Sequence, residues 1–182
     1  MALTDQALIT VAQAKEYLKI SNSDNDNVIE AMVELATRRT EDYCSSRWVI
    51  REIVETHVGD GGKYLYLYRM PITAVASITI DGTAYTGYEE RLSIGMLYGV
   101  WTALTEIIVT YSAGYIADIT TAVANVPDAV IAVMQCVAIW FNNPLGATTE
   151  NVGRVGSIVF DTDSELPDSV KAKLSSLRKR II

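Results

Sequence analysis

Apolar residues recur at helical spacing from Val11 to Ile20, vanish across Ser21–Asp26, and return at helical spacing from Val28 to Tyr43. This pattern predicts two helices separated by a polar hinge. Thr10 and Gln13 have capping-box spacing: the Thr10 hydroxyl can accept one orphan N–H while the Gln13 amide reaches back to another. The hinge, SNSDND, cannot bury itself and offers several residues able to cap the second helix. On that helix Val28, Met32, Leu35 and Tyr43 fall near one stripe, expected to face the core. Glu30, Glu34, Arg38 and Glu41 lie mostly off it. Glu34 and Arg38 stand at i,i+4 in the favourable order.

After Cys44 the period changes to two. Trp48–Val58 and Lys63–Arg69 are expected strands, and the Gly59-Asp60-Gly61-Gly62 run between them signals a hairpin. In KYLYLYR, Tyr64, Tyr66 and Tyr68 share one face and Leu65 and Leu67 the other. A second hairpin is expected from Thr73–Ile80 through Asp81-Gly82 to Ala84–Tyr88, the Asp-Gly pair suiting a primed turn. Leu92–Tyr98 and Leu104–Ser112 would complete an antiparallel meander. The loops are too short for the crossovers that parallel pairing needs.

Pro127 then suits the first position of a helix, with Asp128 in its first turn. From Asp128 to Asn142 that helix is apolar on almost every side, which fits the middle of a core or of an assembly. Asn143-Pro144 and Gly146 should stop it. Residues 145–157 are small and polar with three glycines and are expected to form a mobile loop. Val155–Phe160 follows as a short strand. Pro167 opens a last helix from Asp168 to about Arg180, with Val170, Leu174 and Leu177 on one stripe. The fold class expected is α+β: a helical core of two N-terminal helices, one central apolar helix and one C-terminal helix, with an antiparallel β insertion at about 47–115. Internal repeats and low-complexity segments are not apparent.

At 182 residues, nearly half of them hydrophobic, the chain is long enough for one domain, 1–182, with a real core. The balance of 15 basic against 22 acidic residues gives a net charge of −7. Proteins that grip phosphates are usually basic, so this balance argues against a DNA-gripping role, though not against DNA passing nearby. Cys44 and Cys136 fall inside expected helices and are expected to be buried, reduced thiols. The N-terminal MALTDQ has neither a basic region nor an apolar stretch, so no signal peptide is expected. The apolar run Val130–Phe141 falls short of the roughly 20 residues that span a bilayer, so no membrane partner is expected. A soluble, cytoplasmic protein is the expectation.

Catalytic chemistry is poorly supplied. His57 is the only histidine, so no Ser-His-Asp set can be built without it, and one His with two distant Cys makes a poor zinc site. Gly59–Lys63 superficially resembles a phosphate loop. However, it lacks the required spacing, has Tyr64 where Ser or Thr should hold magnesium, and precedes a strand. Asp24-Asn25-Asp26 and Asp161–Glu165 each begin like a calcium loop. Both fail at the sixth position (Ile29, Leu166) and the twelfth (Leu35, Ala172). Capping and solvation explain them better, as solvation explains Glu89-Glu90. No catalytic, metal or cofactor-binding residue is expected. Ten tyrosines and three tryptophans against two phenylalanines suit a half-wet interface and ordinary sheet packing equally well. The C-terminus combines Lys171, Lys173, Arg178, Lys179 and Arg180 with Ile181-Ile182. This end fits either a docking element or a frayed tail whose cations complement the helix dipole.

The order of these features resembles a known family. The LIT…A-K-x-x-L opening (Leu8–Leu18), an acidic hinge and a helix ending E-D-Y-x-x-x-R (Glu41–Arg47) are similar to the start of tailed-phage head–tail connector proteins, also called adaptor or head-completion proteins. The likeness continues through Arg69-Met70-Pro71-Ile72, Tyr111-Ser112-Ala113-Gly114-Tyr115, Val126-Pro127, Trp140-Phe141-Asn142-Asn143, Gly153–Val159 and Leu166-Pro167. It spans nearly the whole chain, and order and spacing carry it rather than any single motif. Where the family pattern has Arg after Asn142, this chain has Asn143-Pro144, so an ion pair through that Arg does not carry over. The resemblance implies a structural phage or prophage protein of the virion neck, assembled in the host bacterial cytoplasm. It implies self-association into a ring of about twelve copies, docking on the portal protein, and a platform for the stopper or tail protein. DNA would pass through the channel without specific binding. The implied portal interface is Lys171, Arg178, Lys179, Arg180, Ile181 and Ile182. Competing expectations are another neck component (a stopper or tail-completion protein), a small hydrolase, or a ligand-binding β module.

Overall fold

The structure, a computed structural model, describes residues 6–142, 149–152, 156–159 and 166–178. Helices and antiparallel sheets both occur, as the pattern predicts. The chain divides into two compact units, one from Met1–Cys44 with Ile119–Arg178 and one that includes Ser45–Asp118.

The first unit holds five helices among the described residues: α1 (Val11–Leu18), α2 (Asp26–Cys44), α3 (Ala122–Asn125), α4 (Pro127–Asn142) and α5 (Asp168–Leu174). The capping box of α1 forms as expected. The Gln13 N–H donates to Thr10 Oγ1 at 3.1 Å, and the Thr10 N–H donates to Gln13 Oε1 at 2.8 Å. Lys19 ends the helix in the left-handed region.

The expected core stripe of α2 is a correction. Val28 and Leu35 are exposed, whereas Ile29, Val33, Ala36, Thr37, Thr40, Glu41 and Cys44 are buried. Two hydroxyls make the polar-looking face buriable. Thr37 Oγ1 donates to the Val33 carbonyl and Thr40 Oγ1 to the Thr37 carbonyl, both at 2.9 Å. Thr37 Oγ1 also accepts the Leu8 N–H at 3.2 Å, pinning the segment before α1. Backbone-satisfied threonines and an alanine give a smooth face on which α4 lies. The buried residues of α4, Ala129, Val130, Ala132, Val133, Cys136 and Val137, pack toward α2 and α5.

Both cysteines are buried and neither is in a disulfide, as expected. Burial pushes each thiol up to about 12, an effect opposed at Cys44 by the nearby Arg178 charge.

Two further corrections concern the end of the chain. Thr149–Val152 is not loop but strand β8, pairing antiparallel with β9 (Gly156–Val159). α5 stops at Leu174 rather than near Arg180, closing in a turn where the Leu177 and Arg178 N–H groups donate to the Leu174 carbonyl. Its apolar stripe docks as expected, with Val170 and Leu174 fully buried. Asn143-Pro144, Gly146, Val155, Phe160 and Asp161–Glu165 lie outside the described residues.

The second unit is a two-sheet β structure. One sheet has the order β1-β7-β3-β4 and the other β2-β6-β5, from β1 (Arg51–Val58), β2 (Tyr64–Tyr66), β3 (Ile72–Ile80), β4 (Thr83–Ala84), β5 (Tyr88–Arg91), β6 (Met96–Gly99) and β7 (Glu106–Ala113). Every strand pair is antiparallel, but the chain is no meander. β7 inserts between β1 and β3. The expected hairpin at Gly59–Gly62 also fails, because β1 pairs with β7 whereas β2 pairs with β6. The glycine run is instead the corner at which the chain leaves one sheet for the other. A Cβ at Gly59 would sit 1.9 Å from the Thr102 carbonyl oxygen, so only glycine fits there. The Asp81-Gly82 hairpin does form, with both residues at positive φ as a type I′ turn requires. Inward side chains of the two sheets, including Leu65, Leu67, Leu97, Ile78, Ile107, Val109 and Tyr111, make one core with Trp101.

Candidate functional site

Strand periodicity places Tyr64 and Tyr66 on the outside of the small sheet, with Leu65 buried beneath them. Tyr68, two residues past the end of β2, is also half exposed. Tyr98 on β6 stands opposite Tyr64 and Glu89 of β5, and the Tyr64 and Tyr98 rings are 5.5 Å apart. The Arg91 guanidinium lies 5.8 Å from the centre of the Tyr98 ring. The face is thus aromatic, bordered by one cation and one carboxylate.

Adjoining Tyr68 is a polar cluster that the sequence did not single out. Glu55, on β1, accepts the Tyr111 hydroxyl in a very short hydrogen bond. Its other oxygen accepts the Tyr68 N–H at 3.1 Å and lies 3.2 Å from His57 Nε2. The Tyr111 hydroxyl in turn accepts the Arg69 N–H at 3.2 Å. The His57 and Tyr68 rings stack at 5.0 Å. Burial opposes ionisation of Glu55, but the bonds from His57, Tyr111 and the Tyr68 backbone outweigh it and hold the carboxyl below its ordinary value. Burial, then the bond and charge of Glu55, push the Tyr111 phenol well above its usual range, so it stays a neutral donor. The cluster ties β1, β7 and the Tyr68–Arg69 backbone together. His57 is accordingly a packed, stacked side chain. A cue was present: Glu55 falls in phase with Ile53 and His57 on the inward side of β1.

The residues weighed for other chemistry serve as local structure. Asp26 pairs with Lys15 at 2.6 Å, and Asp24 accepts from the Asn22 amide at 2.9 Å. The Gly62 N–H donates to Asp60 Oδ1 at 2.7 Å, making the glycine run a side-chain-braced turn. No set of three or more His, Cys, Asp or Glu side chains that could hold a metal ion occurs among the described residues. No single helix among them is long and apolar enough to cross a membrane.

Of the expected portal-interface residues, two are described. Lys171 pairs with Asp168 one turn back, at 3.0 Å. The Arg178 guanidinium sits 5.1 Å from the centre of the Tyr43 ring of α2, so the chain is tethered up to that point. Lys179, Arg180, Ile181 and Ile182 lie outside the described residues.

The fold resembles proteins from three solved particles. It matches one in the neck of an empty GTA particle computed with C6 symmetry (14% identity, TM-score 0.72). A second comes from the virion of a native gene transfer agent (GTA) particle (14%, 0.71). A third comes from the neck of a native GTA particle computed with C12 symmetry (15%, 0.70). Each match covers 100% of this chain and 94% of the other. At such identity these likenesses speak for the fold. No curated protein matches the sequence. The model of one family, described as head completion protein, matches residues 7–180. With the order of motifs from Leu8 to Pro167 and a fold shared end to end, this chain belongs to the head completion protein family.

Proposed function

We propose that this protein is a structural head–tail connector of a phage or prophage neck. Its copies form a ring, on the order of twelve, that docks on the portal protein, extends the DNA channel and joins the head to the stopper or tail. The observation that carries this reading is the family match over residues 7–180. The shared fold with proteins of GTA necks, computed with C6 and C12 symmetry, supports it.

The work of such a protein is mechanical. The polar cluster at Glu55 fits this view, because its members are engaged in bonds that tie β1, β7 and the Tyr68 backbone together. The net charge of −7 suits a channel through which DNA slides without specific binding, since like charge disfavours sticky phosphate contacts. Against that acidic background, Lys171, Arg178, Lys179 and Arg180 are a local reversal of sign. They suit steering toward an acidic portal surface, with Ile181 and Ile182 supplying apolar contact. Electron microscopy of necks assembled with the portal tests the reading. A closed ring of this chain under the portal is expected, and a single copy per neck would refute it.

A further inference from the structure

Each unit carries an exposed apolar patch that its own core does not use. On the second unit it is the tyrosine face: Tyr64, Tyr66 and Tyr68 are 53%, 41% and 49% exposed. On the first unit it is the outer stripe of α2, where Val28 and Leu35 are 48% and 45% exposed. Beside Leu35 lies a shallow recess of about 230 Å³, lined by Asn27, Glu30, Ala31, Glu34, Leu35 and Arg38.

We infer that the tyrosine face of one copy docks on the α2 stripe of a second copy, an aromatic side chain entering the α2 recess. The inference rests on the ring reading above and names its contact surfaces. Charge spacing is the first argument. Glu34 and Arg38 are one turn apart along α2, about 6 Å. Glu89 and Arg91 are two residues apart on one face of β5, about 6.8 Å. Opposed head to tail, Glu34 meets Arg91 and Arg38 meets Glu89. Arg38, Glu89 and Arg91 are exposed in the single chain, Glu34 is partly so, and Arg91 is already positioned over the Tyr98 ring.

Area is the second argument. A buried tyrosine contributes on the order of 200 Å², so the exposed halves of three offer about 300 Å². That is over a third of the roughly 800 Å² each partner supplies to a stable interface. Rigidity is the third. Tyr68 is held by its N–H bond to Glu55 and its stack on His57, so little freedom is lost on docking. The two patches differ, so the contact is heterologous. Repetition of such a contact runs head to tail and, where the rotation closes, generates a ring.

The test uses the full chain assembled with its portal, or alone at high concentration if it assembles unaided, with assembly mass read by native mass spectrometry. One variant is Glu34→Arg with Arg38→Glu, a second is Glu89→Arg with Arg91→Glu, and a third combines all four. Melting temperature confirms that each folds. The expected result is that each double variant loses at least tenfold in assembled fraction and that the fourfold variant regains it. Tyr66→Asp and Leu35→Asp, each on its own, should also block assembly. A wild-type ring with both double variants still assembling would overturn this inference and leave the ring reading standing. Loss in both doubles without recovery in the fourfold variant would overturn the proposed pairing. A wild type that never assembles, with or without portal, would overturn the ring reading itself and this inference with it.

Discussion

Replacing Tyr111 by Phe isolates the polar cluster around Glu55. The ring is fully buried, so Phe preserves its packing and removes only the hydroxyl. Two hydrogen bonds disappear. The one to the Glu55 carboxylate is charge-assisted, worth about 1.5–3 kcal/mol net. The one from the Arg69 N–H is a neutral bond worth about 1 kcal/mol. Together the expected destabilisation at pH 7 is about 2–4 kcal/mol. For a chain of 182 residues that lowers the melting temperature by about 5–15 °C.

The pH dependence gives a second readout. Because the folded Glu55 carboxyl is held below its ordinary value of 4.5, the unfolded chain binds more protons as the pH drops through that region. The stability Glu55 contributes is therefore complete above 4.5 and is lost as the pH falls through the lower folded-state value. Tyr111→Phe removes one of the bonds responsible for the lowering, so the folded-state value moves back toward 4.5 and the variant loses less stability as the pH falls. The gap between variant and wild type should narrow as the pH falls below the folded-state value, where the carboxyl is protonated in both. Urea unfolding at several pH values measures both effects. A difference under about 0.5 kcal/mol at pH 7, or a gap independent of pH, would show that Glu55 and Tyr111 do not brace the sheet as argued.

The remaining predictions probe other parts of the fold and the proposed role. Leu174→Ala should cost about 2–5 kcal/mol in denaturant unfolding, because the side chain is fully buried among α2, α4 and α5. Thr10→Ala should cost about 0.5–2 kcal/mol through loss of the capping box, read by the same assay. Deleting residues 178–182 removes the Arg178–Tyr43 contact, worth about 0.5–1 kcal/mol, so melting should fall only slightly while attachment to portal-bearing heads is impaired. Unchanged head binding would remove the tail from the interface, and collapsed melting would assign it to the core. A hydrolase, kinase and nuclease panel should be blank for purified protein; a co-purifying activity lost on His57→Ala would contradict the structural role.

Local signals in the sequence carried through to the structure. The Thr10–Gln13 box, the Asp81-Gly82 turn, the Tyr/Leu alternation and the Pro127 helix start each depend on residues a few positions apart. Non-local arrangements did not. The placement of β7 between β1 and β3 joins segments about fifty residues apart, and no turn chemistry encodes it. The glycine run at 59–62 has the composition of a hairpin, yet the backbone approach of Thr102 to Gly59 makes it a corner between sheets. On α2, residue hydrophobicity alone chose the wrong face, because threonines that bond their own helix are as buriable as valines. The Glu55 cluster escaped for the same reason as β7. Its members come together only when β1, β7 and the Tyr68 segment meet.

A partly buried carboxylate on the inward side of a sheet is an expensive feature. Three donors must converge on Glu55 before it is tolerated, and removing any one leaves the others facing an undersatisfied charge. An apolar residue in its place would pack the sheet but would not fix the backbone at Tyr68, whose N–H would lose its acceptor. The cluster therefore sets geometry more than stability. That geometry includes Tyr68, whose N–H donates to Glu55 and whose half-exposed ring stacks on His57. For an assembly protein, affinity is gained by presenting a rigid surface that loses little entropy on docking. On this view the lone histidine and its glutamate hold Tyr68 in place on the proposed interaction surface.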